Sequence, residues 1–255
     1  MLSRKPQQSL SDCASTDDAE KPYPLHQLMT QRVLLSVINY VTLSLVDIAF
    51  RTIQPLFFST PVESGGLGLA PPSIGNILAS FGALHGIYQL ICFPRAHSLW
   101  GTKRVFLGGL CCAIPMFALF PIMNTLARVY GVGPVVYSVV ALQVLFALGM
   151  TSCYGTPWRL LALGCLRVDL SFTGCIFIYI AAASPNRASL GATNGIAQVL
   201  VSVVSAFGPA TATSLFSLSL AKGYMGGGLV YIVFLTFSLV AITFGTILPQ
   251  QVWQS

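Results

Sequence analysis

The sequence predicts an all-α fold, a polytopic bundle of about six transmembrane helices, and two observations carry this prediction. Of the 255 residues, 55% are hydrophobic and only 8% are charged, and the mean hydropathy is +0.76. An ordinary globular domain has about 25% charged residues, so this chain cannot cover a water-soluble surface. The apolar residues also form stretches of about 20, the length that a helix needs to cross the hydrocarbon core.

These stretches define a transmembrane domain, residues 33–255. Its predicted spans are about 33–58, 73–93, 105–127, 134–154 continued by 174–183, 191–217 and 228–248. Glycine, proline and polar residues separate them. Residues 1–32 are predicted to be a polar cytosolic tail or linker, because acids and bases are balanced there and no apolar signal-peptide stretch follows the first bases.

The basic residues predict the orientation. If the tail is cytosolic, the inside loops 94–104 and 184–190 carry four bases, Arg95, Lys103, Arg104 and Arg187. The outside loops hold only two, Arg128 and Lys222. The positive-inside rule then places both termini in the cytosol; a plasma and a vacuolar membrane are equally compatible. The net charge of +6 belongs to residues 33–255, because acids and bases balance in the tail. No nucleic-acid partner is expected, because no basic cluster is interleaved with aromatic residues.

The fourth span contains a segment that does not fit a membrane helix. Residues 155–173 include Pro157 and three charged residues, Arg159, Arg167 and Asp169. Each charge costs about 2.5–3.5 kcal/mol at a helix centre. Removing the segment restores one uninterrupted apolar helix, so we interpret it as an insertion or a retained intron. A genuine re-entrant or cytosolic excursion and a separate seventh span at 168–184 remain alternatives.

The first span contains the main candidate site. Asp47 and Arg51 are four residues apart and can pair along one helix face, and Gln54 lies within the same arc. An intramembrane ionisable pair indicates a substrate or ion cavity, because its cost needs a compensating partner or water. A structural pair that neutralises itself is the alternative.

Two further helices carry polar candidates. In the fifth span Asn194 and Gln198 begin a polar stripe that is expected to face Asp47 from another helix, with interhelical packing as the alternative. In the second span His85 is a candidate proton relay, because imidazole titrates near neutral pH; a hydrogen-bonded structural histidine is the alternative.

The sequence lacks the motifs of the common enzyme classes, so the chain is predicted not to be an enzyme. The seven cysteines have no zinc-binding spacing, and no metal or other cofactor is expected.

Several motifs resemble the C-terminal half of a major facilitator superfamily transporter, closest to fungal drug:proton antiporters. Residues 47–58 resemble the seventh helix of that family and 65–75 its external loop. Gly101, Lys103 and Arg104 resemble the basic cytosolic loop motif, although Ser98 and Leu99 stand where the family usually has an acid and an arginine. The eleventh helix is matched by Asn194, Gln198 and Gly208–Pro209.

The resemblance implies a secondary transporter of small organic solutes, coupled to protons and embedded in a lipid bilayer. Family members have twelve spans in two six-helix halves around a central cavity. This chain would supply one half, as a truncated form or a C-terminal half that pairs with a missing N-terminal six-helix half. A fragment or an associating subunit that does not transport is the alternative.

Overall fold

A computed structural model describes residues 29–154, 175–184, 188–223 and 227–248, apart from the side chains of residues 90, 93–98 and 178. Most of the polar tail, the segment 155–173 and Arg187 lie outside the described residues. The helices are α1 (Gln31–Ser59), α2 (Pro71–Tyr130), α3 (Pro134–Thr151), α4 (Cys175–Ala183), α5 (Leu190–Lys222) and α6 (Leu229–Ile247), with a 3-10 turn at Val62–Ser64.

The described residues contain helices and no strand, so the predicted all-α transmembrane bundle is confirmed. Five helical segments are long and apolar enough to cross a membrane: α1, Leu99–Tyr130 within α2, α3, α5 and α6. The span predicted at 73–93 lies in the first part of α2, and the residues predicted to continue the fourth span form α4. The number of spans stays a prediction.

Local sequence signals explain where several helices begin. Thr30 precedes α1, and its hydroxyl accepts a hydrogen bond from the Val33 N–H, which satisfies a donor that has no partner in the first turn. Prolines open α2 at Pro71 and α3 at Pro134, where the missing N–H costs nothing.

Gly101 divides α2 into an N-terminal arm, residues 71–100, and a C-terminal arm, residues 102–130. Its φ of 75° and ψ of 166° are non-helical, and the backbone is helical on both sides. The prediction of a loop over 94–104 is therefore wrong, because the break in helical geometry is confined to Gly101. A glycine suffices because it adopts positive φ without the strain that a Cβ introduces.

Helix contacts establish the directions of the helices. α1 and α5 run parallel, since Tyr40 contacts Gln198 and Ile48 packs against Gly208 further along both helices. α1 and α6 run antiparallel, since the Asn39 side chain donates to the Phe244 carbonyl and the ring of Phe57 contacts Tyr231. Parallel α1 and α5 in a bundle require an odd number of membrane crossings between them.

An aromatic core joins α1, the C-terminal arm of α2 and α6. Phe57 and Phe120 meet edge to face with ring centroids 4.9 Å apart, and Phe120 stacks on Tyr231 at 5.1 Å. Phe117 stacks on Phe234 at 5.6 Å. These rings are almost completely buried, and such pairs stabilise packing beyond the area they bury. The core holds α1 in place along one face and leaves its opposite flank open.

The two ends of the bundle are tied by different contacts. At one end the Asn124 amide donates to the carbonyl oxygens of Val62 (3.0 Å) and Gly66 (2.8 Å) in the loop after α1. At the other end Lys103 Nζ donates to the Thr246 carbonyl, 3.0 Å away, near the C-terminus of α6. A cation there interacts favourably with the negative end of the helix dipole.

Candidate functional site

The centre of the site is an ion pair on the open flank of α1. Arg51 Nε donates to Asp47 Oδ2 at 2.9 Å. The Asp47 side chain is 18% exposed and that of Arg51 is 49% exposed. The pairing that the four-residue spacing predicts is therefore present, with the carboxylate behind the guanidinium and the positive group more accessible.

This pair lies deep in the helix. α1 has 29 residues, so residue 45 is its midpoint, and at about 1.5 Å per residue Asp47 is about 3 Å and Arg51 about 9 Å beyond it. The hydrocarbon core is about 30 Å thick. For a helix centred in the bilayer, both charges lie within the apolar layer, where ionisable groups are expensive and tend to serve a function.

His85, on the N-terminal arm of α2, is near enough to this pair to interact electrostatically with both Asp47 and Arg51. Its ring stacks on Phe81, and its Nε2 is 3.5 Å from Gln89 Nε2. Gln89 in turn donates to the Thr151 carbonyl at 3.0 Å, which ties this arm to the end of α3. The sequence did not indicate that the candidate relay and the candidate cavity residues form one group.

Aromatic hydroxyls complete the same region. The Tyr154 hydroxyl, at the end of α3, donates to Ser44 Oγ at 3.5 Å, and Ser44 is three residues before Asp47. The ring of Tyr154 meets Tyr40 at 6.4 Å, and Tyr40 meets Phe177 of α4 at 5.2 Å. The sequence patterns did not point to Tyr40 or Tyr154. Tyr40 could have been found, because it is two turns before Asp47 in the same helix, whereas Tyr154 needed the tertiary structure.

α5 contributes Gln198, whose Nε2 donates to the Tyr40 hydroxyl at 3.4 Å. The close approach of α5 to α1 depends on Gly208, where an added Cβ would lie 3.0 Å from Ile48 Cγ2. Asn194 is one turn before Gln198 and is exposed. Of the two predicted α5 residues, the structure thus brings Gln198 into contact with α1. Seven residues around the ion pair form the Asp47 cluster: Tyr40, Ser44, Asp47, Arg51, His85, Tyr154 and Gln198.

Gln54 lies apart from this open flank. Its side chain is 2% exposed, among buried residues, and its Nε2 has no acceptor among the described residues. The sequence pattern groups Gln54 with Arg51, because the two share an arc of the helix. The arc straddles the boundary between the buried and the open side of α1, so neighbouring positions on it have different surroundings.

The three residues of the predicted cytosolic motif have separate positions. Gly101 forms the break in α2, Lys103 contacts the end of α6, and Arg104 is exposed. Among the described residues, no hydrogen bond or ion pair joins them to the Asp47 cluster, so their structural role is at the end of the bundle.

The helices on either side of the cluster have wide exposed faces. The exposed apolar residues there are Leu84, Ile87 and Ile91 on the N-terminal arm of α2, and Val199, Leu200, Val203 and Phe207 on α5. Polar Asn194, Gln198, Ser202 and Ser205 are exposed on α5 as well. Among the described residues no group of three or more His, Cys, Asp or Glu could hold a metal ion.

Comparison with known proteins identifies relatives over most of the chain. No family model matches the chain, and no solved structure matches it. The Major facilitator superfamily multidrug transporter mfsB of Aspergillus fumigatus is 27% identical over 88% of this chain. Protein ZINC INDUCED FACILITATOR-LIKE 1 of Arabidopsis thaliana is 29% identical over 73%, and Efflux pump azaK of Aspergillus niger is 24% identical over 80%.

The chain spans 34% of the length of the first two relatives and 39% of the third. Two of these relatives are named as a multidrug transporter and an efflux pump, which confirms the prediction that the chain is not an enzyme. The resemblance that the motifs indicated is confirmed too: the chain is an integral membrane protein related to the transporters of the major facilitator superfamily.

Proposed function

We propose that the chain is part of a secondary active transporter for small organic solutes and that the Asp47 cluster lies on its solute path. The observation that carries the proposal is the Asp47–Arg51 pair near the middle of a membrane-spanning helix. Its charges are partly exposed on the open flank of α1 instead of being enclosed by the aromatic core. Such exposure is compatible with hydrocarbon only where water or a solute covers the pair.

Proton coupling is the second part of the proposal. His85 and Asp47 interact electrostatically, and both change charge when they bind a proton. A change of charge on one alters the interaction of the other with Arg51. In this proposal His85 passes protons to and from Asp47, and Gln198 and Asn194 contact the solute from α5. Gln54 is buried apart from the open flank, and in this proposal its amide, whose nitrogen has no acceptor among the described residues, lines the buried wall of the cavity.

The third part of the proposal is a second helical unit. The exposed polar residues of α5 and the exposed Arg51 would meet lipid if nothing else covered them, which is unfavourable. The relatives are also considerably longer than the matched region. We infer that another six-helix half packs against α5 and the N-terminal arm of α2 and encloses the cluster. In this proposal both termini of the present chain are cytosolic, as the basic loops predict.

The test is proton-linked flux in membrane vesicles from cells that produce the chain, loaded with a pH dye, so that a second helical half can be present. Addition of aromatic solutes of different charge should move protons across the membrane when the chain is present. The variant Asp47→Asn should insert to the same extent and reduce the flux at least tenfold. Equal flux through vesicles from cells with and without the chain would contradict transport by this chain.

The alternative is a membrane subunit that associates and does not transport. The wide exposed faces of α5 and of the N-terminal arm of α2 favour it, because the described residues leave much of both helices uncovered. Absence of flux together with stable capture of a second membrane protein would support the subunit and contradict the transporter.

A further inference from the structure

The charge balance of the described residues is the starting point. The acidic residues in this part of the chain are Asp47 and Glu63. Glu63 is in the 3-10 turn beyond the end of α1, where Arg128 donates to its carbonyl oxygen. Ser59, the last residue of α1, is already about 18 Å from Asp47 along the helix. Asp47 therefore provides the carboxylate of the cluster, and this carboxylate is already paired with Arg51.

The geometry of the pair leaves the cation available. The contact with Asp47 uses Nε of Arg51, so the N–H groups on the two Nη atoms are not part of it. Those groups form the fork that binds a carboxylate through two parallel hydrogen bonds. Arg51 is also the more exposed partner. Asp47 fixes the orientation of the guanidinium, while the Nη edge can face a ligand.

The neighbouring groups favour the same ligand. The Tyr40 hydroxyl accepts from Gln198 and so keeps its own proton for another acceptor. The half-buried rings of Tyr154 and Phe177 have centroids 6.4 Å and 5.2 Å from that of the buried Tyr40. Their exposed parts, backed by Tyr40, provide an apolar surface for a ring or alkyl body. A cation would find no free carboxylate in the Asp47 cluster, whereas an anion finds Arg51.

We propose that the Asp47 cluster binds an organic carboxylate, with the carboxylate on the Nη edge of Arg51 and the apolar body against Tyr40, Tyr154 and Phe177. This inference rests on the proposed transport function, because it assigns the solute class of the same site. It assigns Arg51 to direct contact with the ligand and Asp47 to positioning of Arg51.

The experiment measures binding to the complete chain in lipid nanodiscs. The probes share one ring system and differ in charge: 2-naphthoate, 2-naphthamide and 2-naphthylmethylamine. We expect naphthoate to bind at least tenfold more tightly than the amide, and the amine no more tightly than the amide. Arg51→Gln should remove this preference, and Arg51→Lys should retain part of it because the charge stays and the fork is lost.

A control separates binding from folding. The paired variant Asp47→Asn with Arg51→Gln removes both charges and keeps side chains of similar size. This variant should fold even if Arg51→Gln alone is unstable, and it should bind naphthoate no more tightly than the amide. Lys222→Gln, at the end of α5, should bind all three probes as the unchanged chain does. Thermal unfolding of every variant verifies that it is folded.

Three outcomes overturn the inference: a preference for the amine, no preference for naphthoate over the amide, or a naphthoate preference that persists in the paired variant. Flux measurements distinguish this failure from failure of the proposed function. Proton-linked flux of neutral or cationic solutes without naphthoate preference contradicts the carboxylate assignment and leaves transport standing. Naphthoate binding that depends on Arg51, without any flux, contradicts transport and leaves the carboxylate site standing.

Discussion

The backbone N–H of Ile176, at the start of α4, donates to the carbonyl oxygen of Cys153 across 3.3 Å, although 23 positions separate the two residues in the sequence. Removal of residues 155–173 would place Ile176 four positions after Cys153. Four is the spacing of the α-helical hydrogen bond. The contact thus has the register of one continuous helix from α3 into α4. We propose on this ground that residues 155–173 are an insertion into a single span.

The first prediction concerns deletion of that segment. A chain without residues 155–173 should fold with α3 and α4 joined, insert into membranes and unfold at the same or a higher temperature. The parallel directions of α1 and α5 support this proposal, because one span there gives three crossings between them. Circular dichroism and thermal unfolding in detergent provide the measurement.

The matched control for the deletion removes 17 residues, 155–171. It leaves two extra residues and rotates α4 by about 200° relative to α3, which turns buried Tyr179 and Ile180 outward. This shorter deletion should lower the yield and the unfolding temperature. Equal behaviour of the two deletions would contradict the continuous-helix proposal.

The second prediction concerns the coupling of Asp47 and Arg51. Asp47→Asn and Arg51→Gln each leave one unpaired charge at membrane depth and should each destabilise the chain by about 1–3 kcal/mol. The paired variant should lose less than the sum of the single losses, because no charge is left alone. Thermal unfolding in detergent micelles of the four proteins measures this coupling. Additive losses would show that the two side chains do not stabilise each other.

The third prediction concerns the crossing of α2 and α3. A Cβ at Gly149 would lie 2.7 Å from Cys112 Sγ, so Gly149→Ala should destabilise the chain by about 1–3 kcal/mol. Cys112→Ala added to Gly149→Ala should recover most of this loss, because it removes the obstructing sulfur. Gly108→Ala is the control, since no atom would lie within 4 Å of its Cβ. No rescue by Cys112→Ala would argue against this helix contact.

The fourth prediction concerns Gly101. Its positive φ makes Gly101→Ala unfavourable by about 1–2 kcal/mol, although space for a Cβ exists. Gly82→Ala, in the helical N-terminal arm and equally open, should instead be neutral or stabilising by up to about 1 kcal/mol. Chemical or thermal unfolding of both variants compares them. Equal unfolding temperatures would contradict the conformational role of Gly101.

The fifth prediction concerns Lys103. Lys103→Gln removes a cation from the C-terminal end of α6 and should cost about 0.3–1 kcal/mol at low salt. Lys103→Arg should retain most of the stability, because the positive charge remains. Unfolding at low and high salt measures the difference, which salt should reduce. A loss that is independent of salt would point to packing instead.

The sequence predicted features that depend on local chemistry. The low charge and the long apolar stretches predicted an all-α membrane bundle, and the four-residue spacing predicted the Asp47–Arg51 pair. It did not predict the helical residues on both sides of Gly101, because a change of direction at one glycine leaves almost no polar loop to recognise. Nor could it separate Gln54 from Arg51, since an angle on a helical wheel does not reveal which helices pack on either side.

What the sequence by itself determined is the class of the fold, the placement of an ion pair in α1 and the resemblance to a transporter superfamily. Only the tertiary structure brought His85, Tyr154 and Gln198 to that pair and left the cation as its exposed member. The physical reason is the range of the interactions. Hydropathy and pairing within a helix act over a few neighbouring residues, whereas a site shared by four helices depends on how their faces pack.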